Sequence, residues 1–187
     1  MDFTIHTPET APEASKAQLE DSQAKYRFIP NLHGIMAESP ALLEAYKVIG
    51  NIYAKTELSV LERQIVLLAV NYENECHYCM AAHSVIAQME KMPAEILDAL
   101  RAGQPLADPK LEALRSFAAK LTRNRGWLDR AEFEALLAAG YTKRTIQEVI
   151  LAISYKVMSN YMNHVSETVV DEPFQKQLWT KPAATAA

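Results

Sequence analysis

Apolar positions recur at helical spacing along most of this chain, and the breaks between the runs carry capping residues. Residues 1–9 are polar and proline-bearing and predict an extended arm. A helix over Glu13–Arg27 follows, with Ala14, Ala17, Leu19, Ala24 and Tyr26 giving only a weak apolar stripe. Ile29–Leu32 breaks it ahead of a short turn of helix. Ser39-Pro40, a cap with proline at the first helical position, opens a run through Leu42, Leu43, Tyr46, Ile49, Ile52 and Tyr53. Ser59 and Glu62 have capping-box spacing and start a helix whose Ile65–Val70 stretch is apolar on nearly all sides, the mark of a buried central helix. That helix leads into a second segment running to about Lys91. Pro93 opens a short helix to Ala102, stopped by Gly103. Asp108-Pro109 caps a run through Leu111, Leu114, Phe117, Ala118 and Leu121. Leu128-Asp129 precedes a helix over Ala131–Ala139 that Gly140 closes, and Thr142 caps a long one from Lys143 to about Ser166. A polar tail follows, with residues 180–187 expected to fray.

The expected fold is therefore all-α, a single-domain bundle of nine or so helices spanning residues 1–187. A weak internal echo runs through it. Leu67–Val70 leads on to His83, and Ile150–Ile153 leads on to His164, without the cysteines and two residues shorter. The echo makes His164 a candidate for the corner that matches His83.

Composition narrows the function classes. A formal charge of −4 and a pI near 5.8 lack the basic footprint that nucleic acid demands. The N-terminus has no basic-then-apolar signal pattern, and no apolar run approaches the ~20 residues of a membrane span. The expectation is a cytoplasmic protein with no membrane partner, in a compartment that keeps thiols reduced. No phosphate loop, Rossmann glycine pattern, haem motif or flavin motif is present, so no cofactor is expected.

Against that background one stretch carries chemistry. Both cysteines of the chain, Cys76 and Cys79, stand C-x-x-C, and His83 follows four residues on. On a helix, Cys79 lies roughly 60° and His83 about 20° from Cys76, so two sulfurs and an imidazole share a face. Asn74 as N-cap places Cys76 in the first turn, where unpaired amides favour an anion. A thiolate is the nucleophile of dithiol chemistry, and a neighbouring base or cation is what lowers a thiol from its usual pKa near 8.5. Once one sulfur is oxidised to a sulfenic acid, the other is close enough to condense with it as a disulfide. Zinc is the competing reading, but it usually takes four ligands. Cys76, Cys79 and His83 supply three, and a fourth such as His164 must come from elsewhere, so redox chemistry is preferred and no metal is expected. The bland alternative is two inert core cysteines.

The run Glu62-Arg63-Gln64-Ile65-Val66-Leu67-Leu68-Ala69-Val70, followed by Asn74-Glu75-Cys76-His77-Tyr78-Cys79 and Ala81-Ala82-His83, resembles the carboxymuconolactone decarboxylase superfamily. The resemblance is stronger to its alkylhydroperoxidase D-like, peroxidase-related branch. It covers roughly residues 55–92, with looser agreement at 39–43 and through the C-terminal helix. It implies an antioxidant thiol site in a homo-oligomer, trimer or hexamer, that takes a hydroperoxide as substrate and a dithiol as reductant. It also implies roles: Cys79 peroxidatic, Cys76 resolving and His83 a proton relay served by an upstream glutamate. The family carries that glutamate twelve residues before the first cysteine, where this chain has Gln64. Glu62 is the nearest replacement and Glu73 a further candidate. The family's histidine directly before the second cysteine is replaced by Tyr78, with His77 one place early.

The leading expectation is thus a thiol-dependent peroxidase working through Cys79, Cys76, His83 and Glu62. The competitors are a decarboxylase or lactone-acting member of the same superfamily, which does not need the cysteine pair, and a redox- or metal-sensing scaffold.

Overall fold

A computed structural model describes residues 2–183, and among them there are nine α-helices, one 3₁₀ helix and no strand. The helices are α1 (Glu13–Tyr26), α2 (Asn31–Met36), α3 (Pro40–Tyr53), α4 (Val60–Glu73), α5 (His77–Met89), α6 (Ala94–Ala102), α7 (Pro109–Arg123), α8 (Arg130–Ala138) and α9 (Lys143–Ser166). The 3₁₀ turn Glu172–Gln177 follows, a local order that the polar tail did not announce.

The caps set the boundaries as the sequence suggests. Ser59 and Glu62 close a reciprocal box at the start of α4, Asp108 accepts from the amides of Lys110 and Leu111, and Thr142 accepts from Thr145. Gly103 ends α6 at φ +69, where a Cβ would sit 2.2 Å from the Tyr72 ring, so both conformation and space require glycine.

Helix α4 is the axis of the molecule, packed by α5, α6, α7 and α9. Every residue from Gln64 to Asn71 is buried, which explains why its apolar run has no polar face. Its two sides feed separate clusters. Val66, Leu67 and Val70 meet Leu114, Phe117 and Leu121 of α7 and Val149 and Ala152 of α9. Ile65 and Leu68 meet Met80, Leu97, Leu100 and Trp179. Each fully buried aliphatic side chain of this kind contributes roughly 1.5–3 kcal/mol. A third cluster joins α1, α2 and α3 to the start of α5, and both cysteines belong to it.

The join between α4 and α5 corrects the expected geometry. Asn74 is the C-cap of α4, Glu75 takes a left-handed backbone at φ +56, and Cys76 is itself the N-cap of α5. Cys76 therefore lies one step outside the helix rather than in its first turn, and only Cys79 and His83 share the helical face.

Both ends of the chain are tied down. The His6 amide donates to the Gly34 carbonyl at 3.1 Å, and the His6 ring meets Glu38 at 2.7 Å, so the arm is extended but docked. At the other end the Trp179 indole donates to the Arg101 carbonyl at 2.7 Å, and the Arg101 guanidinium donates to the carbonyls of Gln177 and Leu178. Lys181 pairs with Glu75 at 3.0 Å, so the expected fraying does not begin at 180; residues 184–187 lie outside the described residues.

Candidate active site

Helix α9 crosses behind the cysteines and turns a polar stripe inward. Lys156, Ser159, Asn160 and Asn163 stand at i, i+3, i+4 and i+7, one face of a helix, and all four are buried. Lys156 is 0 % exposed. An ammonium taken wholly from water is tolerated only beside an anion and with its protons hydrogen-bonded.

Cys79 is the group placed to balance it. Burial alone pushes its thiol up, but the hydrogen bond from Cys76, the charge of Lys156, and hydrogen bonds from Ser159 and Lys156 outweigh it and hold Cys79 well below the usual thiol range. Cys76 moves the other way, pushed up by its hydrogen bond to Cys79, by burial and by the neighbouring negative charge. The two shifts run in opposite directions, favouring the thiolate at Cys79 and the thiol at Cys76, and both cysteines are free of disulfide. The Asn163 side-chain amide spans them, with Nδ2 3.2 Å from Cys79 Sγ and 3.6 Å from Cys76 Sγ.

His83 stands one turn after Cys79, with Lys156 bonded to its ring. Lys156 Nζ donates to His83 Nε2 at 3.0 Å. That fixes the tautomer: Nδ1 carries the proton and donates to Gln64 Oε1 at 3.1 Å. Burial, then the Lys156 charge, hold the imidazole well below its usual pKa, so it is neutral. Gln64 occupies the place where the resemblance expects a carboxylate, and it serves as a neutral acceptor that orients the ring.

The carboxylates proposed as relays are engaged elsewhere. Glu62 accepts from the Ser59 amide at 2.9 Å, the Ser59 hydroxyl at 2.7 Å and the Tyr141 hydroxyl at 2.9 Å, so its role is the capping box and a tie to Tyr141. On α4 Glu62 lies two residues before Gln64, about 200° around the helix from the residue that bonds His83. Glu73 is held by Arg123 through two bonds of 2.8 and 2.9 Å.

The other histidines stay outside. His77 is exposed and bonds the Trp179 carbonyl at 2.8 Å. His164 is exposed and stacks on Tyr161, so it does not occupy a corner matching His83. Among the described residues no group of three or more His, Cys, Asp or Glu is arranged to hold a metal ion. Tyr78, in place of the family's histidine, donates to buried Asp171 at 2.5 Å, and Asp171 also accepts from the Asn31 amide, which clamps the first turn of α5 to the C-terminal segment.

An amide ladder fixes the register. Asn74 donates to Asn160 at 2.8 Å, Asn160 to Asn71 at 3.1 Å, and Asn71 to the Cys79 carbonyl at 3.3 Å. Above it opens a cleft of about 710 Å³ lined by Asn74, Cys76, His77, Tyr78, Asn163 and His164 among others. Cys76 borders this cleft, although both cysteines are buried beneath it, Cys76 at 0 % and Cys79 at 2 % exposure. Sequence reasoning missed Lys156, Ser159 and Asn163. Their signal was the spacing of Lys156, Ser159, Asn160 and Asn163 on one face of the predicted helix.

No protein-family model and no curated protein matches this chain. Solved structures do. A peroxidase-related protein of Ralstonia eutropha JMP134, described as an alkylhydroperoxidase AhpD core, superposes with a TM-score of 0.81 at 22% identity over 92% of this chain and 93% of its own. A peroxidase-related protein of Silicibacter sp. TM1040 gives 0.77 at 24% identity over 90% of both chains. A variant of the debrominase Bmp8 in complex with 2,3,4-tribromopyrrole gives 0.78 at 16% identity, over 93% of this chain and 94% of the other. At these identities the likeness is one of fold.

Proposed function

We propose that this chain, which has the AhpD-core fold, is a thiol-dependent peroxidase that cycles Cys79 and Cys76 between dithiol and disulfide. The observation that carries the reading is the buried Lys156 beside Cys79, because a fully buried cation next to a thiol supports a standing thiolate. The Cys79 sulfur attacks the terminal oxygen of a hydroperoxide, the O–O bond breaks, and Cys79 becomes a sulfenic acid. The departing alkoxide takes a proton from the Lys156 ammonium, which His83 touches on its far side. The Cys76 thiol then attacks the Cys79 sulfur and water leaves, closing the disulfide. Cys76 borders the cleft, so a dithiol reductant entering there attacks the Cys76 sulfur, receives the oxidation and restores both thiols.

In this account Gln64 need not carry a proton. The proton that the family's glutamate relay would pass on comes instead from Lys156, whose charge also balances Cys79 directly. Glu62 takes no part.

A second reading draws support from the likeness to Bmp8: the same two-electron dithiol could remove bromide from a brominated ring. One assay separates them. Reduced protein is given hydrogen peroxide, cumene hydroperoxide or a brominated pyrrole with a dithiol reductant, and peroxide loss and bromide release are followed. Hydroperoxide turnover that Cys79→Ser abolishes is the expected result; bromide release without peroxide turnover would favour the second reading and overturn the first.

A further inference from the structure

The Asn163 side chain has one satisfied end and one orphaned end. Nδ2 donates to both sulfurs, while Oδ1 is buried with no partner. The residue is 5 % exposed and lines the cleft over the cysteines. Leaving a buried acceptor unpaired costs about 1–3 kcal/mol, so such a group in a native site calls for a reason. Flipping the amide does not remove the problem, because it would set the oxygen lone pairs against the Cys79 thiolate and strand the two N–H donors instead.

We propose that Asn163 positions the substrate, its Oδ1 accepting the O–H of the hydroperoxide oxygen that Cys79 attacks. This rests on the peroxidase reading and extends it to substrate recognition. A hydroperoxide carries one O–H, on its terminal oxygen, and that oxygen is the one that bonds to sulfur. A hydrogen bond to it aims the O–O bond at the thiolate without touching the alkyl group. Asn163 thus holds the attacked oxygen, and the proton for the leaving oxygen comes from Lys156 as in the proposed cycle. The transferred proton goes from Nζ to the alkoxide, and the O–H held by Asn163 stays on the sulfenic acid.

The test must separate this role from the effect of Nδ2 on the thiolate. Methyl methanethiosulfonate reports thiolate reactivity but has no N–H or O–H to donate. Rates of the reduced full-length protein with hydrogen peroxide and with this reagent are compared as a ratio, in which the thiolate fraction cancels. Asn163→Ala is expected to lower the ratio about tenfold, whereas Asn163→Asp, which keeps an oxygen acceptor, leaves it within about threefold of wild type while both rates fall. Should the alanine variant fail to fold, Asn163→Ser carries the same comparison, its hydroxyl being too short to reach. A ratio unchanged in the truncated variant overturns the proposal alone. Wild-type protein that reacts with the thiosulfonate and not with peroxide overturns both this inference and the peroxidase reading.

Discussion

At the scale of residues, the site is a charge balance inside the core. Lys156 and Cys79 lie out of water together, and neither charge is tolerable there without the other. Neutral Gln64 keeps the count at zero, since a carboxylate in its place would add a second anion beyond His83. The sign of the pH dependence follows. A thiol held below its usual value stays ionised through neutral pH, so the rate with methyl methanethiosulfonate is flat from alkaline to neutral pH and falls only in acid, as the thiolate is protonated. Lys156→Met removes the cation and moves that fall to higher pH. At pH 7 the variant's rate should drop at least about tenfold, a tenfold loss accompanying each pKa unit above 7. An unmoved pH profile would mean that the ammonium is not what stabilises the thiolate. The cysteine pair and His83 were legible in the sequence because their spacing is local. Lys156 and Asn163 come from a helix about eighty residues further on, and local spacing says nothing about which face of α9 meets Cys79.

At the scale of elements, capping chemistry made most boundaries readable. Ser39, Ser59, Asp108 and Thr142 each accept the amide that their position implies. The α4–α5 joint was misread because Asn74 is equally at home as an N-cap or a C-cap, and the left-handed turn falls on Glu75 rather than on a glycine. The consequence is that Cys76 stands off the helix face, buried under the cleft it borders. Glu62 is the converse case, a candidate for the relay whose hydrogen bonds in the fold are the capping box and Tyr141. Glu62→Ala removes the capping box and the Tyr141 bond and should lower unfolding stability by about 1–2 kcal/mol in urea titration, with thiol and peroxide rates within about twofold of wild type. A large loss of peroxide rate with intact stability would return Glu62 to the relay.

At the scale of the whole molecule, the all-helical architecture follows from periodicity, and the packing order around α4 follows from its lack of a polar face. The docking of the C-terminal segment was not readable. It depends on Trp179 reaching Arg101 and on Asp171 reaching Tyr78, single long-range contacts embedded in a polar stretch. These contacts matter to the site because they clamp the first turn of α5, and with it the distance between the two sulfurs, against the rest of the fold. The architecture therefore buries both sulfurs under a cleft that Cys76 borders and packs α5, α9 and the C-terminal segment around them. The most direct measurement is mass spectrometry of the fully reduced protein after one equivalent of hydroperoxide. The account predicts loss of two hydrogens and a peptide linked Cys76 to Cys79, with Cys76→Ser arresting at a sulfenic acid on Cys79. Two thiols that remain free with the peroxide unconsumed would contradict it.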